Sequence, residues 1–282
     1  MRIACDVHVH VWSAAEHVSP AFLKQANEVS GRPGCLNVEI NRMDEIFEPV
    51  DKVVVFGGRA IHSGVHCPNE FVRDFVKRNP SKYIPFAGID PTERNFMQDF
   101  EQCVGDWKFR GVKLLPMYAN FDPRDRRLDP LYTACEKKGL PILFHMGTTF
   151  VRWAPLRFTE PMLLEEVAER FPDLKMIAAH LGHPWEHQTA VLIRKQPNIY
   201  SDLSALFYRP WQLFNSLMLM QEYGVTRKLL FGTDYPFTTP METVERLRAI
   251  TKFGEGTNFP RLNPDWMEEV FQRDTTRILG IV

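Results

Sequence analysis

Ile3-Ala4-Cys5-Asp6-Val7-His8-Val9-His10 opens the chain with a short apolar run that ends among polar side chains, and the pattern of this run repeats down the sequence. Strand-length, β-branched or apolar runs follow at Lys52 to Phe56, Tyr83 to Ile89, Gly111 to Leu115, Leu140 to His145, Lys175 to His180, Asn198 to Asp202 and Leu229 to Asp234. With Ile3 to Val9 they make eight. Between them lie stretches with the period of a surface helix. Asn69 to Arg78 is apolar at 71, 72, 75 and 76; Glu160 to Phe171 at 163, 164, 167, 168 and 171; Met241 to Ile250 at 244, 247 and 250. Glu93 to Val104, Pro130 to Lys138, Trp185 to Lys195 and Trp211 to Tyr223 are further helical candidates, and Asp265 to Leu279 reads as an extra helix after the eighth unit. Apolar strands alternating with helices require a parallel sheet covered on both faces. Eight such units in one chain of this length predict an α/β fold, a single (β/α)8 TIM barrel with an extra C-terminal helix, as one domain over 1–282. The competitor is a doubly wound open sheet; no Gly-x-Gly-x-x-Gly follows the first strand, which weakens its dinucleotide-binding form.

The composition agrees with a globular enzyme-sized core. Of 282 residues, 44% are hydrophobic and 24% charged, which excludes disordered and fibrous classes. Lys+Arg 34 against Asp+Glu 35 leaves a net charge of −1, so no basic excess points to nucleic acid or an anionic membrane surface. The longest apolar runs fall far short of the ~20 residues of a membrane helix, and the start lacks the pattern of a signal peptide. The five cysteines (5, 35, 67, 103, 135) are scattered without a CxxC pair, which reads as reduced thiols in a cytoplasmic protein. The expected partner is a small-molecule substrate, with neither nucleic acid nor membrane; association into a homo-oligomer is compatible with all of this.

In a barrel of this kind chemistry sits at the C-terminal ends of the strands. Those ends read Asp6, His8 and His10; Gly57-Gly58-Arg59; Asp90; Lys113; His145; His180; Asp202; and Asp234. One histidine at a strand end is readily a packed structural residue. Four of them with an aspartate, at the ends of strands of one barrel, are hard to explain as packing. His8 and His10 stand at i and i+2, so both imidazoles project to one face, which on the first strand is the interior. Buried there, they need partners, and a metal ion supplies them. His145 ends strand five, and Asp234 ends strand eight, which neighbours strand one in a closed barrel. Three imidazoles and a carboxylate suit one divalent ion, Zn2+ first, with an open position for water; Mn2+, Fe2+ and Co2+ tolerate the same ligand types.

Taken together, Asp6-x-His8-x-His10, His145, Ala179-His180-Leu181-Gly182-His183-Pro184 and Gly232-Thr233-Asp234-Tyr235-Pro236 resemble the amidohydrolase superfamily. More narrowly they are similar to its amidohydrolase-related branch, which includes aminocarboxymuconate-semialdehyde decarboxylases, resorcylate-type decarboxylases and lactone hydrolases. The resemblance runs from residue 6 to about 240. It implies that His8, His10 and His145 are metal ligands. Asp234 would be a ligand, or a group bonded to the metal water, and a catalytic residue. His180 would be the neighbouring acid/base. Lys113 stands where binuclear relatives carry a carboxylated, metal-bridging lysine; here it reads rather as a substrate-binding or interior ammonium, with Asp6, taken to lie one layer below His8 on the same face, as a candidate partner.

Loops add substrate contacts. Arg152, Trp153 and Arg157 follow strand five, and Arg152 is the expected carboxylate-binding residue. Phe207, Tyr208 and Arg209 follow strand seven. Both fit an acidic, cyclic or aromatic substrate. His183 reads as a loop brace, and His17, His62, His66 and His187 as surface residues. The expected function is a metal-dependent hydrolase that opens a small, carboxylate-bearing lactone, ester or amide through a metal-activated water. The alternative is a non-oxidative carboxy-lyase, a decarboxylase of a small unsaturated or aromatic acid, using the same metal site. A barrel that keeps its metal only as a structural element is disfavoured by the spare His180 beside the ligand set.

Overall fold

The computed structural model describes residues 1–281. Eight parallel strands form the wall: β1 (Ile3–His10), β2 (Val50–Phe56), β3 (Tyr83–Pro85, continued by Ala87–Gly88), β4 (Val112–Leu114), β5 (Ile142–Phe144), β6 (Met176–Ala178), β7 (Ile199–Asp202) and β8 (Leu229–Leu230). Neighbours pair in sequence order along the wall. β3 is not the continuous strand predicted over Tyr83 to Ile89. Its first piece pairs with β2 and its second with β4, and the hand-over falls at Phe86. There the Phe86 N–H donates to the Val55 carbonyl at 2.9 Å, and the Ala87 N–H donates to the Gly111 carbonyl at 2.8 Å. The ring closes between β8 and β1. The Val7 N–H donates to Phe231 C=O (3.0 Å), the Asp234 N–H to His8 C=O (2.9 Å) and the His10 N–H to Tyr235 C=O (3.0 Å).

Inside the ring, Cys5, Val7, Val54, Phe56, Phe86, Leu143, Ile177, Ala179 and Leu230 form one buried cluster, and Leu279 and Ile281 join it from the C-terminal segment. Burial of this apolar surface, together with the larger shell between strands and helices, is the driving force for closure. The helices arise where the 3.6-residue period predicts them, at Asn69–Val76, Asp129–Lys138, Leu163–Arg170, Glu186–Lys195, Pro210–Glu222 and Pro240–Thr251. Pro240 at the start of the last, with a reciprocal Thr239–Glu242 capping box, fixes its first turn.

Two predicted helices are also corrected. Glu93 to Val104 is a short helix, Phe96–Glu101, that widens into a π turn at Gln102–Asp106. Asp265 to Leu279 is two helices, Pro264–Gln272 and Thr275–Leu279, because Asp274 leaves the helical conformation and caps the second one by accepting the Arg277 N–H. No helix among the described residues is long and apolar enough to cross a membrane. The five cysteines are free.

Candidate active site

β1 does not run evenly into the site. Asp6 pairs with Val53 and Val9 with Val55, so three steps along β1 match two along β2. This bulge turns Asp6 away from the position predicted for it. Its Oδ1 accepts the backbone N–H of His8 (3.0 Å) and of Thr233 (3.2 Å), tying β1 to the segment after β8, and it does not face Lys113. His8 and His10 nevertheless remain neighbours, with ring centroids 5.5 Å apart. From the other side of the closure comes Asp234. Its Oδ1 lies 3.4 Å from His8 Nε2 and 3.3 Å from His10 Nε2.

The residue that organises this group is Asp202 at the end of β7, which sequence reading placed at a strand end without giving it a task. Asp202 is fully buried. Its Oδ2 accepts His8 Nδ1–H at 2.9 Å, which leaves the His8 Nε2 lone pair directed at Asp234. Its Oδ1 accepts the backbone N–H of His180 at 2.9 Å and the Ser204 hydroxyl. Because the Ser204 proton goes to Asp202, the Ser204 oxygen is free to accept His180 Nδ1–H at 2.7 Å. One carboxylate therefore sets the tautomer of two imidazoles from different strands. The spacing of residues along the chain offers no sign of a bond that spans 194 positions.

His180 is presented by unusual backbone. His180, Leu181 and Gly182 are consecutive left-handed residues with φ of +59°, +52° and +66°, and Asp234 has φ of +58°. L-residues with a Cβ adopt this region at a cost, and such strain gathers at functional sites. At Gly182 glycine is required twice over, since a Cβ would also run into Pro161 Cγ and Thr189 Oγ1. His145, after β5, donates Nε2–H to Thr148 C=O (3.3 Å) and turns Nδ1 toward His180 Nε2, also 3.3 Å away.

Two groups of side chains hold their potential ligand atoms within 4.8 Å of one another: His8, His10 and Asp234, and His8, His180 and Asp202. The second group is satisfied by its own hydrogen bonds. The first offers two Nε2 atoms and a carboxylate oxygen that face one another, and it can hold a metal ion. His145 belongs to neither group; it stands beside His180. Burial, the largest cause, pushes His8, His10 and His180 well below the usual imidazole range and His145 down to about 3, with Lys113 and the neighbouring imidazoles adding to it. Neutral imidazoles are the form that binds a cation. Burial likewise raises Asp234 well above the usual carboxyl range, although Lys113 works against it.

Lys113 is buried under His8, with Nζ 3.3 Å from His8 Nε2 and 4.8 Å from the centre of the Phe56 ring. It is not on the cavity wall. Burial lowers it to about 8, against the pull of Asp202 and Asp234. Above the group opens a cavity of about 400 Å3. His10, His145, His180 and Asp234 reach its floor; Trp12, Phe22, Leu36, Leu115, Tyr118 and Phe150 form much of its wall; Arg32, His183, Tyr208 and Arg209 also line it. Arg152 is absent from this lining, contrary to expectation. It is exposed, and its backbone N–H donates to Gln25 Oε1 at 2.8 Å. Position in the loop after β5 does not fix the direction of a side chain. Nor does Arg59 reach the cavity, being tied to Glu93 and Asp99.

The same architecture occurs in solved structures. An uncharacterised TIM-barrel protein from Bordetella bronchiseptica is similar with a TM-score of 0.75 at 21% identity, over 99% of each chain. A dihydroxybenzoic acid decarboxylase from Polaromonas sp. JS666, with bound manganese and the inhibitor 2-nitroresorcinol, gives a TM-score of 0.65 at 14% identity, covering 99% of this chain and 97% of that one. A probable 2-pyrone-4,6-dicarboxylic acid hydrolase from Acinetobacter baumannii, with citric acid bound, gives 0.64 at 15% identity over 99% and 100%. At these identities the likeness speaks for the fold. The sequence itself goes further, because the amidohydrolase family model matches residues 5–281, nearly the whole chain. With that match and the β1, β5, β6 and β8 end residues gathered under one cavity, the chain belongs to the amidohydrolase family.

Proposed function

We propose that this chain is a metal-dependent hydrolase of a small acyl compound, a lactone, ester or amide with an apolar body and an acidic group. The observation that carries the reading is the Asp202 arrangement, which leaves one imidazole as a cation ligand and another, beside it, as a base. His8, His10 and Asp234 would hold one divalent ion, with His145 Nδ1 as a further donor; the three imidazoles favour Zn2+, and Mn2+ suits the same donors. Such an ion polarises a carbonyl oxygen and acidifies a bound water.

The chain's own residues then divide the work. His180 Nε2, with Nδ1–H engaged by Ser204, accepts the proton released as water attacks the acyl carbon. That proton is then handed from His180 Nε2, by way of the Asp234 carboxylate on the same floor, to the leaving oxygen or nitrogen as its bond to carbon breaks, so neither residue keeps it. The wall of Trp12, Phe22, Leu115 and Phe150 holds the apolar body and excludes bulk water, while Arg32 and Arg209 attract the acid. The hydrolase and the decarboxylase among the structural neighbours are both compatible with such a floor. The mainly apolar wall supports a second reading, loss of CO2 from an aromatic or unsaturated acid.

A panel of lactones, esters, amides and aromatic acids tests the two against each other. Carboxylate appearing without CO2 supports hydrolysis, CO2 release supports the lyase, and no turnover on any compound by metal-replete protein refutes both. His180→Asn checks the assignment within the site. It is expected to keep about one ion per chain and to lose roughly 100- to 10,000-fold in rate, the range for a lost acid/base. Metal lost in parallel with the rate would make His180 a ligand instead.

A further inference from the structure

His183 follows the left-handed turn and lines the same cavity as His180, yet the reaction described above gives it no part. Its surroundings are specific. His183 Nδ1–H donates to Glu186 Oε1 at 2.6 Å. Glu186 is buried, only 3% exposed, and the same Oε1 accepts Gln212 Nε2–H (3.0 Å) and the Ser216 hydroxyl (2.9 Å) from the helix after β7. With Nδ1–H directed at Glu186, Nε2 is left as the acceptor. What it accepts is an N–H of Arg209, from Nη1 at 3.4 Å. The guanidinium also stacks on Tyr208, with its carbon 5.0 Å from the ring centre. The backbone beneath is equally fixed. The Thr148 N–H donates to His183 C=O at 2.6 Å, and a Cβ on Gly147, whose φ is +113°, would stand 2.6 Å from that oxygen.

Arg209 is thus held by an imidazole and an aromatic face, and neither cancels its charge. Among the described residues no carboxylate oxygen lies within 4.0 Å of the guanidinium of Arg209 or of Arg32. Arg209 and Tyr208 are exposed, whereas His10, His145, His180 and Asp234 are buried, so the cation stands at the mouth and the proposed chemistry at the floor. A planar fork fixed in direction, with its charge unspent, fits a carboxylate through paired N–H bonds.

We infer that His183, anchored by Glu186, is a positioning residue that aims Arg209 at the mouth of the cavity to receive a carboxylate remote from the reacting group, so that the preferred ligands are acids bearing two anionic groups on opposite sides of an apolar body. This rests on the proposed function for which end of the ligand reacts, but the binding preference itself can be measured without turnover.

The experiment is calorimetric titration of the protein, purified without chelator, with benzoate and with benzene-1,3-dicarboxylate as probes. The unsubstituted protein is expected to bind the dicarboxylate at least tenfold more tightly, the size of one charge-assisted hydrogen-bonded pair. Arg209→Gln should erase that preference, bringing the dicarboxylate to within about twofold of benzoate. His183→Phe should remove much of it, about fivefold, and His183→Gln, whose amide can both donate to Glu186 and accept from Arg209, should restore part of it. Thermal denaturation of each variant separates folding from aiming. If the unsubstituted protein shows no preference for the dicarboxylate, or if His183→Phe lowers only the melting temperature and keeps the preference, the inference is overturned. Metal content and turnover on the acyl panel, measured on the same samples, report the proposed function separately. An intact preference in a protein without hydrolytic turnover would sink the latter alone.

Discussion

Asp202 touches no cavity space, yet it orients His180, which lines the cavity floor, and His8, which is buried beneath that floor. Removing its charge while keeping its shape is therefore informative. Asp202→Asn offers His8 an amide whose nitrogen side can donate but not accept, so part of the population holds the proton on Nε2, where the ion should bind. Metal affinity, measured by competition with a chromophoric chelator, is expected to fall about 10- to 100-fold, the usual effect of losing such an outer partner. An unchanged affinity would show that the Asp202–His8 bond does not govern the ligand tautomer. At this scale the sequence told part of the story. His8, His10 and Asp234 could be gathered in advance because each ends a strand and strands β1 and β8 adjoin in a closed barrel. Asp6, Asp202 and Arg152 could not be placed. Asp6 is displaced by a bulge that has no composition signature, Asp202 acts through a partner almost two hundred positions away, and Arg152 lies in a loop whose side-chain directions follow from packing alone.

At the scale of elements, periodicity located the helices between the later strands because each has one buried face; it passed over Pro20–Ser30, which brings Phe22 to the cavity wall, and it failed where a local hydrogen bond overrides the period. Arg273 turns extended and ends one helix, Asp274 caps the next, and at Phe86 a strand changes partner without any break in its apolar run. The turn from β6 into helix Glu186–Lys195 is the most constrained of these elements. Gly182→Ala places a methyl against Pro161 and Thr189 in a left-handed residue, so the turn must shift. A loss of about 2 kcal/mol or more is expected from backbone strain and overpacking together, read as a lower urea midpoint at unchanged slope. Since Gly182 lies between His180 and His183, a Gly182→Ala protein that still folds should lose catalytic rate and dicarboxylate preference at once. Retention of both would show that the turn is more compliant than its geometry implies.

The whole molecule is a ring whose interior is filled from below as well as from its walls. Leu279 has no exposed surface and packs with Cys5, Val54, Phe86 and Ile177 inside the barrel. The helix Thr275–Leu279 is thus part of the core and not an appendage. Leu279→Ala is expected to cost about 2 to 5 kcal/mol by cavity formation, seen in equilibrium unfolding, while the metal content of the folded fraction stays near that of the unsubstituted protein. Loss of metal from folded Leu279→Ala would mean that the two ends of the barrel are coupled more tightly than separate layers allow. This division also explains why a hydrolase and decarboxylases share the architecture: the lower layers set the fold, and a small number of residues at the upper rim set the reaction.

The left-handed backbone at His180 and Asp234 bears on how such a chain can drift over generations. In the genetic code, histidine and aspartate each lie a single nucleotide from asparagine, the residue after glycine that most readily occupies this conformation. A mutation that silences either position can therefore leave the barrel folded, and even ease its backbone. Descendants with asparagine at 180 or 234 would be expected to persist as intact, ligand-binding barrels without catalysis, and a pseudoenzyme of this lineage should be recognisable by those two letters.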